Sequence, residues 1–469
     1  MVFSELFFLF VFLILCITAY FIASDIRQRN IVLIVASLVF YAWGEPAYIF
    51  LLLASVAVNY FCGLGIDKYR DTPKAKACIA AALIYNIGAL IFFKYTGFFI
   101  SNVNSLLGVS IPIPSIRMPL GISFYTFQIT SYIIDCYWEN VDVQKSYSKL
   151  LLYVSLFPQL VAGPIVRYST IEEEITNRKS TFNDVSAGMT RFIVGLAKKV
   201  IIANNLHSLV VEPLIGIEDI SKASFTATVV GVVCYAIYVY YDFSGYSDMA
   251  IGLGRIFGFH FDENFRYPFI SANITEFWQR WHISLGSFFR DYLLYVPIFG
   301  KRRKYLGLFL VWFCTGFWHG ASWNFIIWGL YFGAFILIEL LLGKKRMKKI
   351  PKAVSHIYSL IVIAIGFGIF YFEDLSSLGN FFKNLVFANG NAFISETAKS
   401  VISENILLIL ISAFLSMPVL DWFKNRAKEN KKLDVLFSYV TIVTNVILLV
   451  VSAMLLVDST SNVFLYWRF

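Results

Sequence analysis

Charge is scarce in this chain. Only 15% of its 469 residues are Asp, Glu, Lys or Arg, against roughly 25% in a typical soluble domain. With 58% hydrophobic and 18% aromatic residues, the composition excludes an ordinary soluble globule and points to a polytopic membrane protein. Other absences narrow the chemistry. The six cysteines (Cys16, Cys62, Cys78, Cys136, Cys234, Cys314) lie scattered in apolar segments. None forms a CxxC pair, so they read as small core residues and not as a disulfide framework or a zinc site. No phosphate-binding loop of the GxxxxGK type is present, which leaves ATP-driven transport without its motor. No HExxH occurs, so no metal is expected. Ser247 sits in GYSDM, which misses the GxSxG nucleophile elbow. Gly252-Leu253-Gly254 lacks the spacing of a dinucleotide loop. No basic stripe interleaves with exposed aromatics, so no nucleic-acid partner is expected. The net charge of +9 reads as topology, because basic loops stay cytoplasmic.

What is present is a succession of apolar runs. The first, over residues 2–23, lacks a positive leader and has a long apolar core, which predicts a retained span. Runs at 31–43 and 47–66 meet at Gly44-Glu45-Pro46, a helix break. Further apolar helices are predicted at 78–93, 120–137, 224–242, 354–372, 406–422 and 435–456. The window 120–137 is dotted with Ser, Thr, Gln and Asp135, so it should face protein. A broken helix is expected at 149–166, a polar connector at 171–184, and an interfacial amphipathic helix at 189–204 carrying Arg191, Lys198 and Lys199. The fold class is all-α, with roughly 11 to 13 transmembrane or re-entrant segments, read as one membrane domain over residues 1–469.

Basic clusters orient the chain. Lys301–Lys304, 344–352 and 424–432 are separated by even numbers of segments and can share one side, the cytoplasmic one. The loop 373–404 and the C-terminus then face outward. Membrane lipids are the surrounding partner.

The stretch 312–328, WFCTGFWHGASWNFIIW, holds the sharpest signal. From Lys304, about 15 helical residues rise roughly 22 Å, within a hydrocarbon core about 30 Å thick. His319 therefore sits at membrane depth, at a glycine-containing reversal. An ionisable group there is a functional-site hypothesis, and irregular backbone is tolerated only inside protein or against a watery cavity. The bland reading is a buried histidine bonded to a backbone carbonyl. Upstream, residues 271–291 are predicted as one helix carrying Glu276, Arg280, Arg290 and Asp291. Each would cost about 2.5–3.5 kcal/mol at the centre of a lipid-facing helix, so the helix belongs at an interface or in a protein-walled cavity. Glu276 and Arg280 can pair at i,i+4. His282 follows Trp281 and has two readings, a chemical group or an interfacial histidine without chemistry. Asp242 and Asp248 read as structural contacts or helix caps in preference to a catalytic dyad.

Four stretches together resemble the membrane-bound O-acyltransferase family, in its bacterial, alginate O-acetylation-like branch. They are FYAWGEP at 40–46, YDFSGYSDMAIGLGRIFGF at 241–259, FWQRWHISLGSFFRDYLLYVP at 277–297 and TGFWHGASWNFIIWG at 315–329. The resemblance runs to the terminal YWRF. It implies helices around a central tunnel or funnel in the bacterial cytoplasmic (inner) membrane. It implies His319 as the catalytic histidine and His282 as the second histidine. Trp281, Trp318, Arg280, Asn324, Arg290 and Asp291 become candidates for holding substrate or donor. With no resident cofactor, the donor is expected to be acetyl-CoA. Expected partners are an extracytoplasmic polysaccharide or cell-wall glycan and a partner acetyltransferase. Two departures stand out: Phe332-Gly333 where many relatives read His-Gly, and Phe299-Gly300 where many read Gly-Gly. The rival inside the family is D-alanyl transfer to teichoic acid from a carrier-protein thioester. The rival outside it is a glycan-precursor transporter, against which stands the lack of an internal repeat.

Overall fold

A computed structural model describes residues 1–161, 163–216, 219–294 and 303–458. The Phe299-Gly300 departure, Lys301, Arg302 and the YWRF terminus lie outside the described residues. Every regular element among the described residues is helical, as the composition predicts. Among the described residues, six helices are long and apolar enough to cross a membrane: Ile49–Lys68, Pro73–Leu107, Phe225–Ile256, Trp323–Met347, Lys352–Tyr371 and Lys431–Val457. The pair Glu396–Glu404 and Ile406–Leu415, bent by 61°, supplies a seventh as a broken span. The larger number of segments read from the sequence includes shorter apolar pieces such as Phe8–Ile22 and Ile122–Tyr137.

The described chain forms two compact units. One comprises Met1–Phe192 with Tyr246–Asp262; the other comprises Ile193–Gly245 with the described residues from Glu263 onward. In the first, the expected break separates Ile26–Gly44 from Ile49–Lys68, and Asp25 caps the former by accepting from the Gln28 N–H at 2.8 Å. Ile122–Tyr137 is buried on nearly all sides, as its mixed polarity requires. The expected broken helix appears as Tyr147–Ser155 and Phe157–Leu160. The expected connector, however, contains a helix, Tyr168–Asn177. Tyr168, Ile171 and Ile175 form its buried stripe at helical spacing, which the run Glu172-Glu173-Glu174 obscures in the sequence. Arg178 binds this unit together: it donates to the Phe257 carbonyl at 2.9 Å and to Asn30 at 2.7 Å.

The interfacial-helix reading of 189–204 is also corrected. Phe182–Ala197 continues into a wider π-turn, Lys198–Ala203. Arg191 meets Asp248 at 2.9 Å within the first unit. In the second unit Lys199, 3% exposed, forms an ion pair with the fully buried Asp242. These cations face carboxylates in protein where the sequence suggested headgroups. The two aspartates are structural, as expected, each with its own cation.

The second unit is built on a helical hairpin, Lys304–His319 and Trp323–Met347. Its two helices touch backbone to backbone. A Cβ on Gly316 would overlap the Phe325 carbonyl oxygen, and one on Gly329 the Trp312 carbonyl oxygen. Small residues are how membrane helices come this close. Trp323–Met347 runs back along Lys304–His319 from the reversal, with Gly333 also against Trp312. Lys352–Tyr371 packs alongside, with Val362, Ile363, Phe367 and Phe370 in the same core as Trp312, Phe325, Trp328 and Phe332.

Two outcomes follow for purified protein in detergent. Gly329→Leu should force the hairpin apart and lower the thermal midpoint, overpacking costing about 1–3 kcal/mol or more. Asp242→Asn strands a buried cation, worth about 3–5 kcal/mol, whereas Lys199→Met with Asp242→Leu should recover most of the loss in a melting assay.

Candidate active site

The site begins where the expected 271–291 helix fails. It is two seven-residue helices, Ile274–Arg280 and Ile283–Phe289. Asn273 opens the first, accepting from the Glu276 N–H at 2.8 Å, while Glu276 accepts from the Ala272 N–H at 3.0 Å. This is a reciprocal cap. Glu339, reaching over from Trp323–Met347, accepts from the Ile274 and Thr275 N–H groups at 2.7 and 2.9 Å and from the Thr275 hydroxyl at 2.6 Å. A carboxylate on a helix N-terminus satisfies both orphan donors and the dipole.

The first helix stops because His282 takes φ 43° and ψ 54°. Such a left-handed histidine costs about 1–3 kcal/mol and persists only where its surroundings impose it. Asn264 imposes it. Its carbonyl accepts from the Ile283 N–H at 2.9 Å, and its Oδ1 accepts from the Ser284 N–H at 3.2 Å and the Ser284 hydroxyl at 2.9 Å. The same Oδ1 lies 3.2 Å from His282 Nδ1. A backbone N–H can only donate, so this amide atom is the oxygen. An amide oxygen can only accept, so Nδ1 carries the proton. The neutral ring then presents its lone pair at Nε2, a buried atom. His282 lies between helices, outside the spanning segments, and burial pushes its imidazole well below the ordinary value, keeping it neutral.

His319 ends its helix, and Gly320 continues in extended backbone, φ −170°. The imidazole is 2% exposed. Its ring lies 5.0 Å from Trp318, 4.7 Å from Trp328 and 5.4 Å from Phe370, each edge to face. Trp318 also reaches His282, with ring centres 5.8 Å apart. One indole thus touches both imidazoles. Asn324, fully buried, donates to the Ile369 and Phe370 carbonyls at 3.3 and 3.2 Å, fixing Phe370 against His319.

The other sequence candidates stand further out. Trp281 packs on Phe265, Phe277 and Phe367. Arg280 pairs with Glu276 at 2.9 Å, as its spacing predicts, and donates to the Arg266 carbonyl. Arg290 pairs with Asp291 at 2.7 Å. Phe332, at the departure from the family pattern, is buried against Trp278 and Trp328. Asn264 and Glu339 escaped the sequence reading, Trp328 was not singled out as a site residue, and Trp278, which with Trp281 suited an interfacial belt, packs instead on Trp312, Trp328 and Phe332. The tryptophans stood inside the motifs; the other two act on partners 18 to 65 residues away, with no local signal.

Two imidazoles bridged by an indole and walled by aromatic rings suit proton transfer in a site that excludes water. Comparison with known proteins shows the family. The sequence model of the membrane-bound O-acyltransferase family matches residues 140–379. A probable alginate O-acetylase AlgI of Azotobacter vinelandii is 35% identical over 89% of this chain and 84% of its own length. A peptidoglycan O-acetyltransferase of Helicobacter pylori is 33% identical over 83% of this chain and 80% of its own. A teichoic acid D-alanyltransferase of Bacillus subtilis is 30% identical over 55% and 68%. The chain belongs to the membrane-bound O-acyltransferase family. It is a multi-pass membrane enzyme that transfers acyl groups to hydroxyls.

Asn264→Leu keeps the volume and removes the acceptor. Leaving a buried donor unpaired costs about 1–3 kcal/mol. A lower melting midpoint and a loss of acyl transfer are expected together; unchanged transfer would show that the His282 bend is not needed.

Proposed function

We propose that this enzyme takes an acetyl group from acetyl-CoA at the cytoplasmic face. With a partner acetyltransferase, it delivers that group to hydroxyls of an extracytoplasmic polysaccharide or cell-wall glycan. Residues 1–469 act as one catalytic domain in the bacterial inner membrane. The observation that carries the reading is His319: a buried imidazole at the tip of the hairpin, within an aromatic cage. His319 is the general base, taking the proton from the acceptor hydroxyl as it attacks the thioester carbonyl. A base within hydrogen-bond reach contributes roughly 10²- to 10⁴-fold. His282, with its lone pair at Nε2, orients the acceptor, and Trp318 keeps the two rings in register. The basic residues at the Lys304 and Lys344 ends of the hairpin attract the phosphates of coenzyme A. Arg280, already paired with Glu276, and the Arg290–Asp291 pair border the donor side.

D-alanyl transfer from a carrier protein is the second reading. The teichoic acid D-alanyltransferase match covers 55% of the chain against 89% for the alginate O-acetylase, which favours acetyl.

Purified protein in nanodiscs with radiolabelled acetyl-CoA, wild type beside His319→Ala, tests the reading. Wild type should release or pass on label, and the variant should fall by at least about 10²-fold while remaining folded. Equal turnover by both would remove His319 as the base. Turnover only with a D-alanyl carrier protein would replace the donor.

A further inference from the structure

A buried indole N–H ordinarily finds an acceptor, because it is a donor only and costs free energy when left dry. Two packed indoles, one of them against His319, depart from this. Nε1 of Trp328 and Nε1 of Trp278 are buried with no hydrogen-bond partner among the described residues. Trp328 is 2% exposed. Its ring stands edge to face on His319 at 4.7 Å, and on Trp278 at 5.5 Å. Trp278 is held in turn by Trp312 at 4.8 Å and Phe332 at 5.2 Å. The indoles are therefore held by ring packing, with no hydrogen bond to either N–H among the described residues.

The arrangement has the chemistry of a receptor for an oxygen that gains negative charge. Such sites work because their donors are oriented in advance in a water-poor environment. We infer that the Trp328 indole N–H, seconded by that of Trp278, binds the carbonyl oxygen of the acyl donor and the oxyanion formed from it. This rests on the thioester reading above. The acceptor hydroxyl oxygen bonds to the carbonyl carbon, and its proton passes to the His319 ring. The carbonyl π electrons move onto oxygen, which the indole N–H holds. Collapse of the intermediate breaks the carbon–sulfur bond, and the thiolate takes the proton back from His319. Ester and free thiol are the products.

The test separates carbonyl recognition from packing. Binding of two inert donor analogues is measured in nanodiscs: a methyl-ketone analogue of acetyl-CoA, which keeps the carbonyl, and S-ethyl-CoA, which lacks it. Wild type should prefer the ketone by about tenfold or more, as expected for hydrogen bonding to a buried donor. Trp328→Phe keeps an aromatic ring and removes the N–H. It should reduce the preference to about threefold or less, with S-ethyl-CoA affinity unchanged, and lower kcat by roughly 10²- to 10³-fold with little change in KM. Should that variant not be recovered folded, 3-benzothienylalanine at position 328 makes the same comparison, because sulfur replaces N–H in a ring of the same shape. An unchanged ketone preference in either variant overturns the role of the indole while leaving the donor assignment intact. Failure of wild type to bind either analogue overturns the coenzyme A reading and this inference together.

Discussion

The contact between Gly316 and Gly329 is the constraint on which the site depends. With no side chain between them, the helices Lys304–His319 and Trp323–Met347 close until backbone meets backbone. That closeness requires a short reversal at residues 320–322, and the reversal puts His319 at the tip with Trp328 beside it. A larger residue at either glycine would open the gap and move the imidazole away from its cage. The same returning helix carries Glu339, whose carboxylate caps Ile274–Arg280. The hairpin thus positions one histidine directly and, through Glu339, the helix that leads to the other.

The second histidine is held by polar bonds and strain. Asn264 spends its carbonyl and its side-chain oxygen on the backbone after His282. In doing so it assigns the ring proton to Nδ1 and leaves Nε2 able to accept. Two imidazoles are thereby placed by different means, one by helix packing and one by an amide, and Trp318 touches both. Polar groups inside an apolar wall are tolerated where they are spent on a partner. Lys199 with Asp242 and Glu339 with its helix are examples. The indole N–H groups of Trp278 and Trp328 have no such partner among the described residues.

The spans at 354–372 and 435–456 and the break at 44–46 were legible because long apolar runs and a Gly-Glu-Pro sequence act locally. The reversal after His319 was legible for the same reason. The break at His282 was not. No proline interrupts 271–291, so the stretch reads as one helix, and the left-handed turn is imposed by Asn264, 18 residues upstream. Lys199 was misread because an amphipathic pattern cannot tell a headgroup from a buried aspartate 43 residues away. The helix Tyr168–Asn177 was hidden by three consecutive glutamates over a stripe of only three buried residues. For His282 and Lys199 the missing information was a partner distant in sequence.

The account turns on the claim that acyl transfer takes place in the cage around His319. The most direct measurement is an experimental structure of the protein with an inert ketone analogue of acetyl-CoA bound. The account predicts the ketone carbon within about 3–3.5 Å of the His319 ring, the distance of a reacting pair, and its oxygen on the Trp328 indole. An analogue seated elsewhere, with the cage still closed by its own side chains, would contradict it.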